Sequence, residues 1–112
     1  MSFLNANLDL KPGNYAVIFS SERPVNPSPE GYDAMSDATM QAVAKIDGFL
    51  GYEVVRNGPD AVFISYWRDA VAVDAWRHAA LHAEAKSEGR ARWYDGYRSL
   101  VCPIEQLSFF KR

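Results

Sequence analysis

From Asn14 to Ser21 the chain reads NYAVIFSS, with Tyr15, Val17 and Phe19 on one side of an extended backbone and Ala16 and Ile18 on the other. Both sides are apolar, which predicts a strand covered on both faces. The next stretch, ERPVNPSP, holds three prolines and cannot continue a strand interior. Ser28-Pro29-Glu30 then supplies a capping hydroxyl, a proline at the first helical position and an acid at the positive end of a helix dipole. The spacing predicts a helix from there to about Ile46, with Tyr32, Met35, Thr39, Ala42, Val43 and Ile46 on one arc and Asp33, Asp37, Gln41 and Lys45 opposite. Asp47-Gly48 stops it.

The second half repeats the theme. Phe49 to Arg56 predicts a second strand, Asn57-Gly58-Pro59-Asp60 a hairpin turn, and Ala61 to Trp67 a third strand. In that strand Phe63, Ser65 and Trp67 alternate with Val62, Ile64 and Tyr66, so both faces are again mostly apolar. Asp69 is placed to cap a second helix over Ala70 to Ser87, ended by Gly89. After a connector from Arg90 to Gly96, Tyr97 to Phe110 predicts a last strand, in which Pro103 requires an edge position or a bulge.

Strand, helix, strand, strand, helix, strand is the ferredoxin-like order, an α+β fold. One domain over residues 14–112 is expected, after a partly loose leader, residues 1–13, that closes on the turn signal Pro12-Gly13. Two helices cover one face of a four-stranded sheet. The apolar residues on the second face predict a homodimer in which two sheets face each other and close a dimeric α/β barrel.

Composition narrows the partners. The net charge is −2, and no basic run is present, so nucleic acid is not the expected partner. No apolar run approaches the roughly 20 residues that span a membrane, and the first residues lack the pattern of a signal peptide, so a cytoplasmic protein is expected. Cys102 is the single cysteine and sits in an apolar run, where it predicts a small buried hydrophobe. No phosphate-binding glycine loop, nucleophile elbow or Cys-x-x-Cys pair is present.

Ala61 to Tyr94 holds all three tryptophans and both histidines. On the second helix Ala72, Val73, Trp76, Ala79, Ala80 and Ala83 form a stripe for the sheet, with Trp76 as a large anchor or a pocket wall. His78 and His82 are one helical turn apart at the stripe's margin, His82 nearer to it. The residues between them are Ala79, Ala80 and Leu81, so the glutamate of a zinc-binding HExxH helix is missing and no metal site is expected.

NYAVIFSSERP, GYDAM, DGFLGYEVVR, ISYWRD and AWRHAALHAEAKSEGRARWYDGY together resemble the antibiotic biosynthesis monooxygenase domain family, in its small stand-alone bacterial members. The similarity runs from about Asn14 to Phe110. It implies a ferredoxin-like protomer, a dimeric barrel and a pocket between sheet and helices. Some members oxidise aromatic polyketides with O2 and no metal, flavin or other cofactor. The resemblance thus implies a small hydrophobic or aromatic ligand, with His82, Tyr66 or Tyr94 assisting deprotonation or holding an anion. Phe63, Trp67, Trp76, His78 and Trp93 would line the cavity. Related members degrade haem with an Asn of the first strand and a Trp and His of the second helix. Here Trp76 and His82 lie in the matching regions, but NYAVIFSS has no interior Asn and offers only Ser20 and Ser21. On an ideal helix His82 also stands roughly 120° from Trp76. A non-catalytic barrel that binds a hydrophobic ligand is the alternative.

Overall fold

The computed structural model describes residues 3–23, 41–86 and 95–112, with the side chains of 80–86 outside that description. Strands β1 (Tyr15–Glu22), β2 (Phe49–Asn57), β3 (Asp60–Trp67) and β4 (Gly96–Pro103) form one antiparallel sheet in the order β2-β3-β1-β4. Residues 41–44 (α1) are helical, and α2 spans Ala70–Lys86. This is the expected α+β architecture. The start of the first helix at Ser28 and the glycine stop at Gly89 lie outside the described residues.

The local signals act where the chain places them. Gly58 takes φ +60° and β2 pairs with β3 from Asn57↔Asp60 onward, so Gly58-Pro59 is a two-residue hairpin turn with its positive φ at the first central position. Asp69 caps α2, its Oδ1 accepting the Ala72 amide at 2.9 Å. That bond, with help from Arg68, holds the Asp69 carboxyl below the usual carboxylate range. Arg68 also pairs with Asp47 at 3.0 Å, but with side chains 50% and 90% exposed the pair contributes little.

β4 is shorter than its apolar sequence predicts. It ends at Pro103, opposite Tyr15, the first residue of β1. Pro103 offers no N–H and lies on the edge strand, as a proline in a sheet must. One more exchange follows, Ile104 N to Asn14 O at 2.8 Å and Gly13 N to Ile104 O at 3.0 Å. Beyond it β1 has no further strand to offer, and residues 104–112 form no regular element.

The core sits at one end of the sheet. Val17, Val43, Trp67, Ala72 and Val73 are buried, with Tyr15, Ile46, Phe49 and Trp76 packed against them. Trp67 is fully buried, its ring 5.3 Å from Phe49 and 6.0 Å from Trp76 between centroids. Its indole N–H donates to Ser65 Oγ at 2.9 Å, which satisfies the one polar atom the ring buries. Ala72, Val73 and Trp76 of the predicted stripe face this core, whereas Ala79 is exposed. Residues 3–13, expected as a partly loose leader, run back along the sheet. Asn5 bonds Glu53 and the Tyr52 carbonyl, and buried Asn14 ties the Lys11 amide to the Arg68 carbonyl.

Gly48 joins these parts. Its φ is +96°, and a Cβ there would stand 2.6 Å from the Ala72 Cβ, so the turn before β2 touches α2 with no room for a methyl. Gly58 has the same kind of φ but open space around it. Gly48→Ala is therefore expected to cost about 3 kcal/mol, against about 1 kcal/mol for Gly58→Ala. Urea denaturation midpoints compare the two; equal losses would show that the contact with Ala72 does not matter.

Candidate functional site

The strand register decides which side chains share a face. Val17 pairs with Ser65 and Val101, and Ser65 with Tyr52, so these four lie on the side that carries α2. One step along, Phe19 pairs with Phe63 and Ser99, and Phe63 with Val54. Tyr97, opposite Ser21, belongs to the same side. Four rings from four strands thus meet: Tyr52 stacks on Phe63 with centroids 5.2 Å apart and planes at 17°, and Phe19 on Tyr97 at 5.3 Å and 28°. Because Phe19 and Phe63 are direct partners, the two stacks adjoin as an aromatic platform across the sheet. The edge rings carry hydroxyls and are partly exposed, Tyr52 at 41% and Tyr97 at 38%. Such a surface suits a flat, apolar molecule with a few polar substituents.

A β-bulge makes the platform possible. β2 shifts register between Phe49 and Gly51, so Phe49 and Tyr52, three residues apart, both reach the helix side. Gly51 takes φ +145°, and a Cβ there would meet Leu8 of the leader at 2.5 Å. Strict alternation from Phe49 would put Tyr52 on the opposite face, which is why sequence alone does not assign it to the site. Phe19 is legible on the face of Tyr15 and Val17. Tyr97 becomes a neighbour only through the β1–β4 register.

The sequence-derived candidates separate. Phe63 belongs to the platform. Trp67 shares its face but is wholly enclosed, and Trp76 packs against Trp67 half-buried, so both rings serve the core at the far end. His78 is exposed, and its Nδ1 lies 2.7 Å from the Asp74 carbonyl of its own helix, to which it donates. His82 lies on α2 with its side chain outside the described residues, and Trp93 and Tyr94 lie outside them altogether. Among the described residues no three His, Cys, Asp or Glu side chains gather as a metal site.

Tyr66 is on the other face, paired with Ala16 and Gly51. Its hydroxyl donates to Glu53 Oε1 at 2.6 Å, and the other oxygen of this buried carboxyl accepts the Asn5 amide at 3.0 Å. Burial, then the Glu53 hydrogen bond and charge, push the Tyr66 phenol well above its ordinary pKa of 10.0. Tyr66 is thereby held protonated, as a donor that fastens the leader's anchor to the sheet. An open depression of about 540 Å³ lies at the hairpin end, mainly on this second face, with Ser20, Glu22, Val55, Asp60, Val62 and Arg98 in its lining. Its charged rim sets it apart from the aromatic platform, with which it shares Tyr97.

The family described as antibiotic biosynthesis monooxygenase matches residues 31–88, just over half of the chain. YqjZ of Bacillus subtilis (strain 168), an uncharacterized protein, is 35% identical over 112 residues, covering 99% of this chain and 95% of its own. The chain belongs to the antibiotic biosynthesis monooxygenase family. Solved structures share the fold. SnoaB, a cofactor-independent oxygenase from Streptomyces nogalater, superposes with a TM-score of 0.66 at 15% identity, over 85% of this chain and 96% of its own. MhuD of Mycobacterium tuberculosis, a heme-degrader solved with two hemes bound in its active site, gives 0.60 at 21% identity, over 85% and 99%.

In this monooxygenase-family chain the two sheet faces therefore carry different chemistry, and Tyr66 tests the division. Tyr66→Phe is expected to cost about 1 kcal/mol at neutral pH, from the lost bond to buried Glu53. A raised folded-state pKa stabilises the protein fully below the ordinary tyrosine value, and this contribution fades as the pH rises through the folded-state value. Thermal melts from about pH 8 to about pH 11 should show a steeper alkaline loss in the wild type than in Tyr66→Phe. Parallel curves would mean that the phenol is not held.

Proposed function

We propose that this protein is a cofactor-independent monooxygenase acting on an aromatic or quinol-like small molecule with O2. The four-ring platform of Tyr52, Phe63, Phe19 and Tyr97 carries this reading, since it matches a flat conjugated substrate in size and polarity. Membership of the monooxygenase family and the likeness in fold to SnoaB support it. An electron-rich hydroquinone supplies the electrons itself. The hydroquinone and O2 become a hydroxyquinone and H2O: one ring C–H becomes C–OH, both phenol O–H groups become C=O, and one oxygen atom goes to each product. The protein's part is to hold the ring on the platform, exclude water and accept a proton. His82 or Tyr94 is assigned that last role, and Tyr66 is set aside because it is engaged with Glu53 on the other face.

Two copies are proposed to pack through the sheet face turned away from α2. Val55 and Leu100 there are 49% and 45% exposed, beside Val62, Ile64 and Ile18 in adjoining register. A single copy leaves this apolar strip to water. Light scattering is expected to give about twice the 12.6 kDa of one chain.

Oxygen consumption with a polycyclic hydroquinone, measured after chelator treatment, tests the activity. Phe63→Ala and His82→Ala are each expected to lower the rate more than about tenfold, Phe63→Ala through weaker substrate binding and His82→Ala through slower proton transfer. Ligand binding without oxygen uptake would select the non-catalytic barrel instead. Haem degradation has less support, because β1 has no interior Asn and the flanking Asn14 has both ends of its amide engaged. A Soret band on adding hemin, lost in His82→Ala, would favour it.

A further inference from the structure

The segment after β4 is apolar and unshielded. Leu107, Phe109 and Phe110 are 43%, 58% and 75% exposed, and the guanidinium of Arg112 lies over the Phe110 ring at 5.7 Å. Phe109-Phe110-Lys111-Arg112 therefore presents two rings and two cations. The depression at the hairpin end offers a partial complement: apolar Val55 and Val62, and the two carboxylates of Glu22 and Asp60 against the one cation of Arg98. Two apolar rings match the two valines, and two cations match a lining in which acids outnumber cations two to one. Within one copy the tail starts at the end of the sheet opposite the depression. The tail leaves the sheet at Pro103, opposite Tyr15, whereas the depression lies at Glu22 and Asp60, at the other end of β1. Eight strand residues, about 26 Å, separate them.

We infer that the tail of one copy docks in the hairpin-end depression of a second copy. This rests on the proposed pairing through the face turned away from α2, and it specifies that pairing. Two sheets related by a two-fold axis across their strands run in opposite directions. The Pro103 end of each then lies over the hairpin end of the other, and the tail enters the partner's depression twice, once for each copy. Phe109 and Phe110 cover Val55 and Val62, while Lys111 and Arg112 meet Glu22 and Asp60. The tail thus sets the direction in which two otherwise featureless apolar strips pack, a task that apolar contact performs poorly.

Charge exchange on the full chain tests this, with the dimer dissociation constant read by sedimentation equilibrium at low salt. Lys111→Glu with Arg112→Glu is expected to weaken the dimer about tenfold or more, and Glu22→Lys with Asp60→Lys to do the same. The four changes together are expected to return the constant to within about threefold of the wild type, which lost folding would not allow. In a Cys102→Ser background, Phe110→Cys with Val62→Cys is expected to give a disulfide-linked dimer on mild oxidation. A dimer indifferent to the charge reversals, or not restored by the exchange, overturns the tail's role while the face-to-face pairing stands. A chain that is monomeric at all concentrations overturns both.

Discussion

Trp67 must be enclosed, and the molecule is arranged to do so. Its ring has no exposed surface, and it is closed in by Phe49 from the neighbouring strand and Trp76 from α2. That enclosure needs the start of α2 close to the sheet, which the small Ala72 and the missing Cβ of Gly48 permit. Asp69 starts the helix at the right residue, and the Arg68 amide donates to the Gly48 carbonyl at 2.7 Å, so the strand exit and the turn are tied together. Removing a buried tryptophan typically costs about 3–5 kcal/mol, a large part of the stability of a domain this size.

Gathering the core at this end sets the character of the other. Trp67 and Trp76 are occupied with each other, so the rings that form the partly exposed aromatic surface are Phe19, Phe63 and the two edge tyrosines further along the strands. The same face of the sheet is thus a sealed core at Trp67 and a partly exposed aromatic surface at Tyr97. The face behind it is divided as well. Near Tyr66 it is closed by the leader, through Glu53, Asn5 and Leu8. Near Val55 and Leu100 it is exposed and apolar, the condition that an isolated protomer leaves unresolved.

Much of this was legible in the residues. The two-sided apolar strands, the Gly48 and Gly58 turns, the Asp69 cap and the edge position of Pro103 all follow from local rules, because each depends on the chemistry of one or a few adjacent residues. The site was legible only in part. The alternation of β3 puts Phe63 on the face of Trp67, but Tyr52 is hidden by a bulge that reverses the alternation of β2, and bulges leave no composition signature beyond a permissive glycine. Tyr66 has the sequence profile of a pocket residue. What removes it from the platform is the parity of its position in β3, and what occupies its hydroxyl is Glu53, whose other carboxyl oxygen accepts the amide of Asn5 in the leader.

The sequence by itself determined the element order, the caps and turns, and the presence of apolar side chains on both faces of the sheet, since these are set by φ/ψ preference and by spacing along one chain. Tertiary structure alone decided which aromatics meet, that Trp67 is enclosed while Tyr97 is not, where β4 stops and which face Tyr52 joins. Those outcomes depend on register between strands distant in sequence. A shift of one residue there turns every side chain to the opposite face without changing a single local preference.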